Sequence, residues 1–150
     1  MSRRLLTLAA TAVLLGACAS QPKEPPPRPF VGTRWDVTLE LPIPGEQPYL
    51  RFGDGRMEGF GGCNKIGGRY VQDTVGARAL VMGRIDRGTR ACDPSAQAAE
   101  TRVLEVLQGV ASYSITADTM TLSGSGGSLK LRAHKTPEEI AKEAAEAAKK

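Results

Sequence analysis

Tyr49-Leu50-Arg51-Phe52-Gly53-Asp54-Gly55-Arg56-Met57-Glu58-Gly59-Phe60 is the stretch that decides the fold. Two short runs, 49–52 and 56–60, flank Asp54-Gly55, a dipeptide that supplies the positive backbone torsions of a tight hairpin. The stretch therefore predicts two paired antiparallel strands. Upstream, Trp35, Val37, Leu39 and Leu41 alternate with Asp36, Thr38 and Glu40, the period of a half-buried strand. Downstream, residues 69–71, 79–85, 111–116, 120–123 and 128–132 read the same way, separated by turn residues such as Asp118 and the glycine-rich 124–127.

One segment breaks this rhythm. After Asp93-Pro94, the residues Ala96, Ala99, Val103, Leu104 and Leu107 recur at helical spacing until Gly109, which predicts one amphipathic helix. Asp93 is placed to cap it, Pro94 to preset its first turn and Gly109 to end it in a left-handed stop. One helix laid on a curved antiparallel sheet buries both apolar faces, so the expected class is α+β.

The flanks carry different information. Arg3 and Arg4 precede a weakly polar to apolar run of eleven residues, Leu5 to Leu15, and then the small pair Gly16-Ala17. This has the layout of a signal peptide over residues 1–17. At roughly 1.5 Å per residue the run reaches about half of a ~30 Å hydrocarbon core, too short for a permanent span. Leu14-Leu15-Gly16-Ala17-Cys18 resembles a lipobox, which implies cleavage before Cys18 and a diacylglycerol on its thiol; the acyl chains would then be the partner in the membrane. Ala19 follows the cysteine in place of an aspartate that retains many lipoproteins in the inner membrane, so the expected location is the outer membrane. Residues 18–29 form the expected tether: five of the eleven residues from Ala19 to Pro29 are proline, a composition that favours extended polyproline II and buries no core. At residues 135–150, Thr136-Pro137-Glu138-Glu139 predicts a capped helix start followed by an alanine-rich, charged, solvated tail.

What remains, residues 30–134, suffices for one modest core. The chain's formal charge is +4, and removal of Arg3 and Arg4 with the signal leaves +2, which does not imply a nucleic-acid partner. Once Cys18 is acylated, Cys63 and Cys92 are the remaining cysteines. In an oxidising compartment a disulfide is the economical reading; two buried free thiols, or a metal-binding or catalytic cysteine, are the alternatives. The chain has a single histidine, His134, so zinc chemistry has too few ligands. Cys63, Asn64 and His134 can spell a nucleophilic arrangement, but Cys63 and Asn64 are neighbours in a turn and are poorly placed to flank an imidazole. No cofactor or catalytic residue is expected. Arg78, Arg84, Arg87 and Arg90, with only Asp86 between them, are a candidate patch for an anionic envelope lipid or acidic protein. The bland reading is a solvated strand and loop.

Gly32-Thr33-Arg34-Trp35, Gly62-Cys63-Asn64, Gly68-Arg69-Tyr70 and Ala91-Cys92 carry a family likeness, extended by Glu100, Val103 and Leu107 and by Tyr113, Ile115, Asp118, Met120 and Leu122. Over nearly the whole core the chain resembles the META domain family, which includes heat-shock envelope lipoproteins of the HslJ type. The resemblance implies a partly open barrel with one helix packed across it, and a non-enzymatic factor in envelope homeostasis or stress response. A binding module for a lipid, a peptide or an envelope hydrolase, using the open side of the sheet, is the competing reading. Within the pattern, Trp35 and Tyr70 are expected in the core, and Gly62, Asn64 and Gly68 at a sharply bent strand connection together with Gly61 and Gly67. The chain departs from the pattern four residues before Cys92, where the family usually has threonine and this sequence has Gly88.

Overall fold

The computed structural model describes residues 25–73 and 78–149. The signal segment, Cys18 and most of the tether lie outside the described residues. Eight strands form one antiparallel sheet: β1 (Arg34–Val37), β2 (Tyr49–Gly53), β3 (Arg56–Phe60), β4 (Lys65–Gln72), β5 (Leu80–Arg87), β6 (Val110–Thr116), β7 (Thr119–Gly124) and β8 (Gly127–Ala133). Their spatial order is β5-β4-β3-β2-β1-β8-β7-β6. The sheet curls until its two edges meet at the bridge of Ala79 to Ser112, backed by the Tyr113 N–H donating to the Arg78 carbonyl at 3.1 Å. Helix α1 (Pro94–Gly109) packs against β5, β7 and β8. The class is α+β, a half-barrel with a helix across it.

The hairpin forms as the sequence predicts. Asp54 (φ 48°) and Gly55 (φ 72°) are both left-handed, and the register runs from Gly53 opposite Arg56 to Tyr49 opposite Phe60. Leu50, Phe52 and Met57 point inward and are fully buried, while Arg51 and Glu58 point outward. Phe30 stacks on Phe52 with centroids 4.3 Å apart, and Tyr70 meets Phe52 edge-on at 5.4 Å. Trp35 is fully buried, and its indole N–H donates to the Phe30 carbonyl at 3.2 Å. Each such side chain contributes about 1.5–3 kcal/mol on burial. These rings, with Val103, Val106 and Leu107 of α1, fill the concave side of the sheet.

Several local expectations are corrected. The alternation at 35–41 is strand only to Val37; Pro42 and Pro44 follow, and a residue without an N–H cannot continue the ladder, so Leu41 is left 79% exposed. Gly67 and Gly68 lie inside β4, not at the bend. At Gly68 a Cβ would come 2.7 Å from the Arg84 carbonyl oxygen, beside the register shift between β4 and β5. Asp93 occupies the N-cap of α1, but its side chain makes no capping hydrogen bond. Gly109 is not a left-handed stop: the chain leaves the helix through extended Val110, and Gly109 is required because a Cβ there would lie 2.5 Å from the Gly126 nitrogen.

Helix α2 (Pro137–Ala147) has the predicted cap: Thr136 accepts from the Glu139 N–H and the Glu139 carboxylate accepts from the Thr136 N–H. No residue of this helix is buried. The tail and the start of the domain meet at one end of the barrel. The Arg28 N–H donates to the Ala117 carbonyl at 2.8 Å, and its guanidinium pairs with Glu139. The hairpin turns at 54–55 and 117–118 lie at this end, and the β3–β4 connection at the other.

Candidate functional site

The β3–β4 connection, Gly61-Gly62-Cys63-Asn64, is held at once by close glycine packing, a disulfide and side-chain hydrogen bonds. Gly62 has φ 120°, and a Cβ there would press on the Ala96 carbonyl oxygen at 3.1 Å and on the Ala99 methyl at 3.2 Å. The corner thus lies directly on the first turns of α1. Cys63 and Cys92 form a disulfide with Cα atoms 5.7 Å apart. In the chain-entropy treatment, closing the 29-residue separation is worth about 3–4 kcal/mol.

Asn64, also buried, pairs with Arg90 as one strand pairs with another. Its carboxamide oxygen accepts from the Arg90 N–H at 2.9 Å and its amide donates to the Arg90 carbonyl at 3.2 Å. This arrangement requires glycine at 88: a Cβ at that position would come 2.7 Å from the Asn64 Oδ1. The Arg90 guanidinium reaches back to the Cys63 carbonyl.

Beneath this pair is Glu100, a carboxylate only 2% exposed. It accepts from the Asn64 backbone N–H, from the Asn64 amide at 3.2 Å and from the Arg87 guanidinium at 3.3 Å. A buried charge is tolerated only when paired and hydrogen-bonded, and here one helix residue satisfies a turn and a strand end at once. Sequence reasoning named Glu100 among the residues of the likeness but missed that it is buried. The available signal was its position inside the apolar stripe 96-99-103-107 of α1.

The four arginines proposed as a patch do not share a face. Arg84 is 92% exposed at its side chain and pairs with Asp86 at 3.5 Å. Arg87 and Arg90 are held in the corner. Arg78, left-handed at φ 49°, lies at the opposite end of β5. His134 is also at that opposite end, with Nδ1 2.6 Å from the Asp36 carboxylate, so the topology separates it from Cys63 and Asn64. Among the described residues, no group of three or more His, Cys, Asp or Glu side chains could hold a metal ion.

A curled antiparallel sheet with a filled concave face, one helix across it and a disulfide-locked Gly-Cys-Asn corner defines a small structural class. The chain belongs to the META domain family, whose model matches residues 29–136. No curated protein matches the sequence. Among solved structures it is similar to a protein from Burkholderia xenovorans determined by NMR, with 19% identity and a TM-score of 0.59, covering 78% of this chain and 96% of that one. It is also similar to a DUF4847 family protein from Bacteroides vulgatus, known from a crystal structure, with 14% identity and a TM-score of 0.52, covering 71% and 96%. At these identities the likeness establishes the fold.

Proposed function

We propose that the chain is an exported envelope lipoprotein, anchored through Cys18 in the outer membrane, whose META domain acts as a non-catalytic accessory module in envelope homeostasis. The observation that carries this reading is the Cys63–Cys92 disulfide, because such bonds form and persist in oxidising compartments. It agrees with the lipobox-like Leu14–Cys18 stretch and the proline-rich residues that follow. The non-catalytic part rests on the corner itself: its buried carboxylate is committed to Asn64 and Arg87. A binding module that encloses its ligand fits less well, since fully buried side chains such as Phe52, Leu107 and Met120 occupy the concave side.

In this reading the tether enters the domain at Arg28, whose N–H meets the Ala117 carbonyl, at the end of the barrel opposite the disulfide corner. The reading is tested by expressing wild type and Cys18→Ser in a bacterium, labelling with palmitate and separating the membranes. Label and outer-membrane fractionation confined to wild type support it. Equal labelling of the variant, or recovery of wild type in the cytosol with both domain thiols reactive, overturns it.

A further inference from the structure

The convex face of the half-barrel carries a basic depression that linear sequence does not reveal. It has a volume of about 520 Å³ and is lined by Arg34, Arg51, Arg56, Lys65 and Arg87 against the carboxylates Glu58 and Asp86. Strand register builds it. Arg34 lies opposite Arg51, Arg51 opposite Glu58, Glu58 opposite Gly67, and Gly67 opposite Asp86. This is one cross-strand row on the outer face, with a gap where Gly67 has no side chain. Arg56 leans over that gap, its Nη2 3.6 Å from where a Cβ of Gly67 would be.

Two features set this row apart from an ordinary solvated surface. Like charges directly opposite one another destabilise a sheet, yet Arg34 faces Arg51 and, on the same side, Arg56 faces Arg69. Places where a fold breaks a local rule are where function is expected. The second feature is the state of the cations. Arg34 is engaged by Asp36, Arg56 by Glu58 and Arg87 by Glu100, whereas Arg51 and Lys65 make no ion pair among the described residues. Tyr49 supports the site from β2, with the Arg34 guanidinium stacked 3.8 Å above its ring.

We propose that this depression binds a phosphate-bearing ligand with at least two negative charges, with Arg51 and Lys65 as its primary contacts. A phosphate group brings about −1.5 to −2 charges and three acceptor oxygens, matching two cations on nearby strands that have no ion pair among the described residues better than a single carboxylate does. Guanidinium also meets phosphate in bidentate geometry. The volume falls within the range of small-ligand sites. The ligand is either a free phosphate compound or the phosphorylated headgroup of a lipid.

The test is calorimetric titration of the full chain with inorganic pyrophosphate at low ionic strength, in parallel with co-sedimentation on phosphatidylcholine vesicles with and without phosphatidic acid. The variants are the double substitution Arg51→Gln/Lys65→Gln and the control Arg84→Gln. The expected result is a loss of about tenfold or more in affinity for the double variant, the scale of a lost charge-assisted contact, with no change for Arg84→Gln and no fall in melting temperature for either. Sensitivity of pyrophosphate binding to the double substitution identifies a free ligand. Sensitivity confined to phosphatidic acid vesicles identifies a headgroup. Binding of neither probe, binding that the double variant retains, or a double variant that melts lower than wild type overturns the proposal.

Discussion

Glu100 packs its side chain against the bare Cα of Gly61, so closely that a Cβ there would come 2.8 Å from the Glu100 Cγ. The same carboxylate accepts the Asn64 N–H three residues further along. Glycine at 61 and glutamate at 100 are therefore two halves of one contact, which fixes the angle at which α1 crosses the corner. Glu100→Leu would remove the acceptor and strand a buried N–H, at a cost of about 1–3 kcal/mol. Glu100→Gln retains an acceptor oxygen and should lose less. Urea unfolding of both variants measures this; a Leu variant as stable as wild type would show that the carboxylate does not hold the corner.

The disulfide should behave as a shared bond. Cys63→Ala is expected to destabilise the oxidised domain by about 2–4 kcal/mol, with the double Cys63→Ala/Cys92→Ala variant little worse. Thiol titration in denaturant should detect the pair only after reduction. Additive losses, or two free thiols without reductant, would contradict the bridge.

Position on the sheet separates the neighbouring arginines. Arg84→Gln, at a side chain 92% exposed, should change stability by less than about 0.5 kcal/mol. Arg87→Gln removes the cation beside a buried carboxylate and should cost more, about 1 kcal/mol after allowance for the exposure of the guanidinium itself. Thermal melts of the two variants side by side decide the matter, and equal melting temperatures would show that the Arg87–Glu100 contact contributes nothing.

Acid should loosen the tail before the barrel. Hydrogen bonding from the Thr136 backbone, followed by the Arg28 side chain, holds the Glu139 carboxyl below its ordinary pKa. A depressed folded-state pKa means that the charged form is the one bound. Its contribution is present above the ordinary carboxylate range and is lost as pH falls through the lowered value. Amide shifts of Thr136 and Glu139 should therefore report uncapping in acid while the Trp35 signals stay native. Glu139→Gln should abolish the acid dependence. Uncapping and core unfolding at the same pH would refute it.

Local chemistry explains most of what the sequence determined alone. Asp54-Gly55 admits the left-handed torsions of a hairpin, period-two patterning names strands, and Thr136-Pro137-Glu138-Glu139 caps α2 within four residues. Each signal is complete inside a short window, and the hairpin and the α2 cap are found where they were expected, whereas the strand expected over 35–41 ends at Val37. The pairing of Cys63 with Cys92 was accessible by elimination, without its geometry. Tertiary structure alone decided the rest. Gly109 and Gly88 look like stops or loop residues in sequence, but they are glycine because Gly126 and Asn64, distant along the chain, come within 2.7 Å of where a Cβ would stand. Glu100 became buried because Asn64 and Arg87 arrive from two other elements to satisfy it. The four arginines close in sequence were dispersed, while Arg34, Arg51, Arg56 and Lys65, spread over thirty-one positions, were gathered on one face. Charge proximity follows strand register, and register is set by which residues the whole sheet buries.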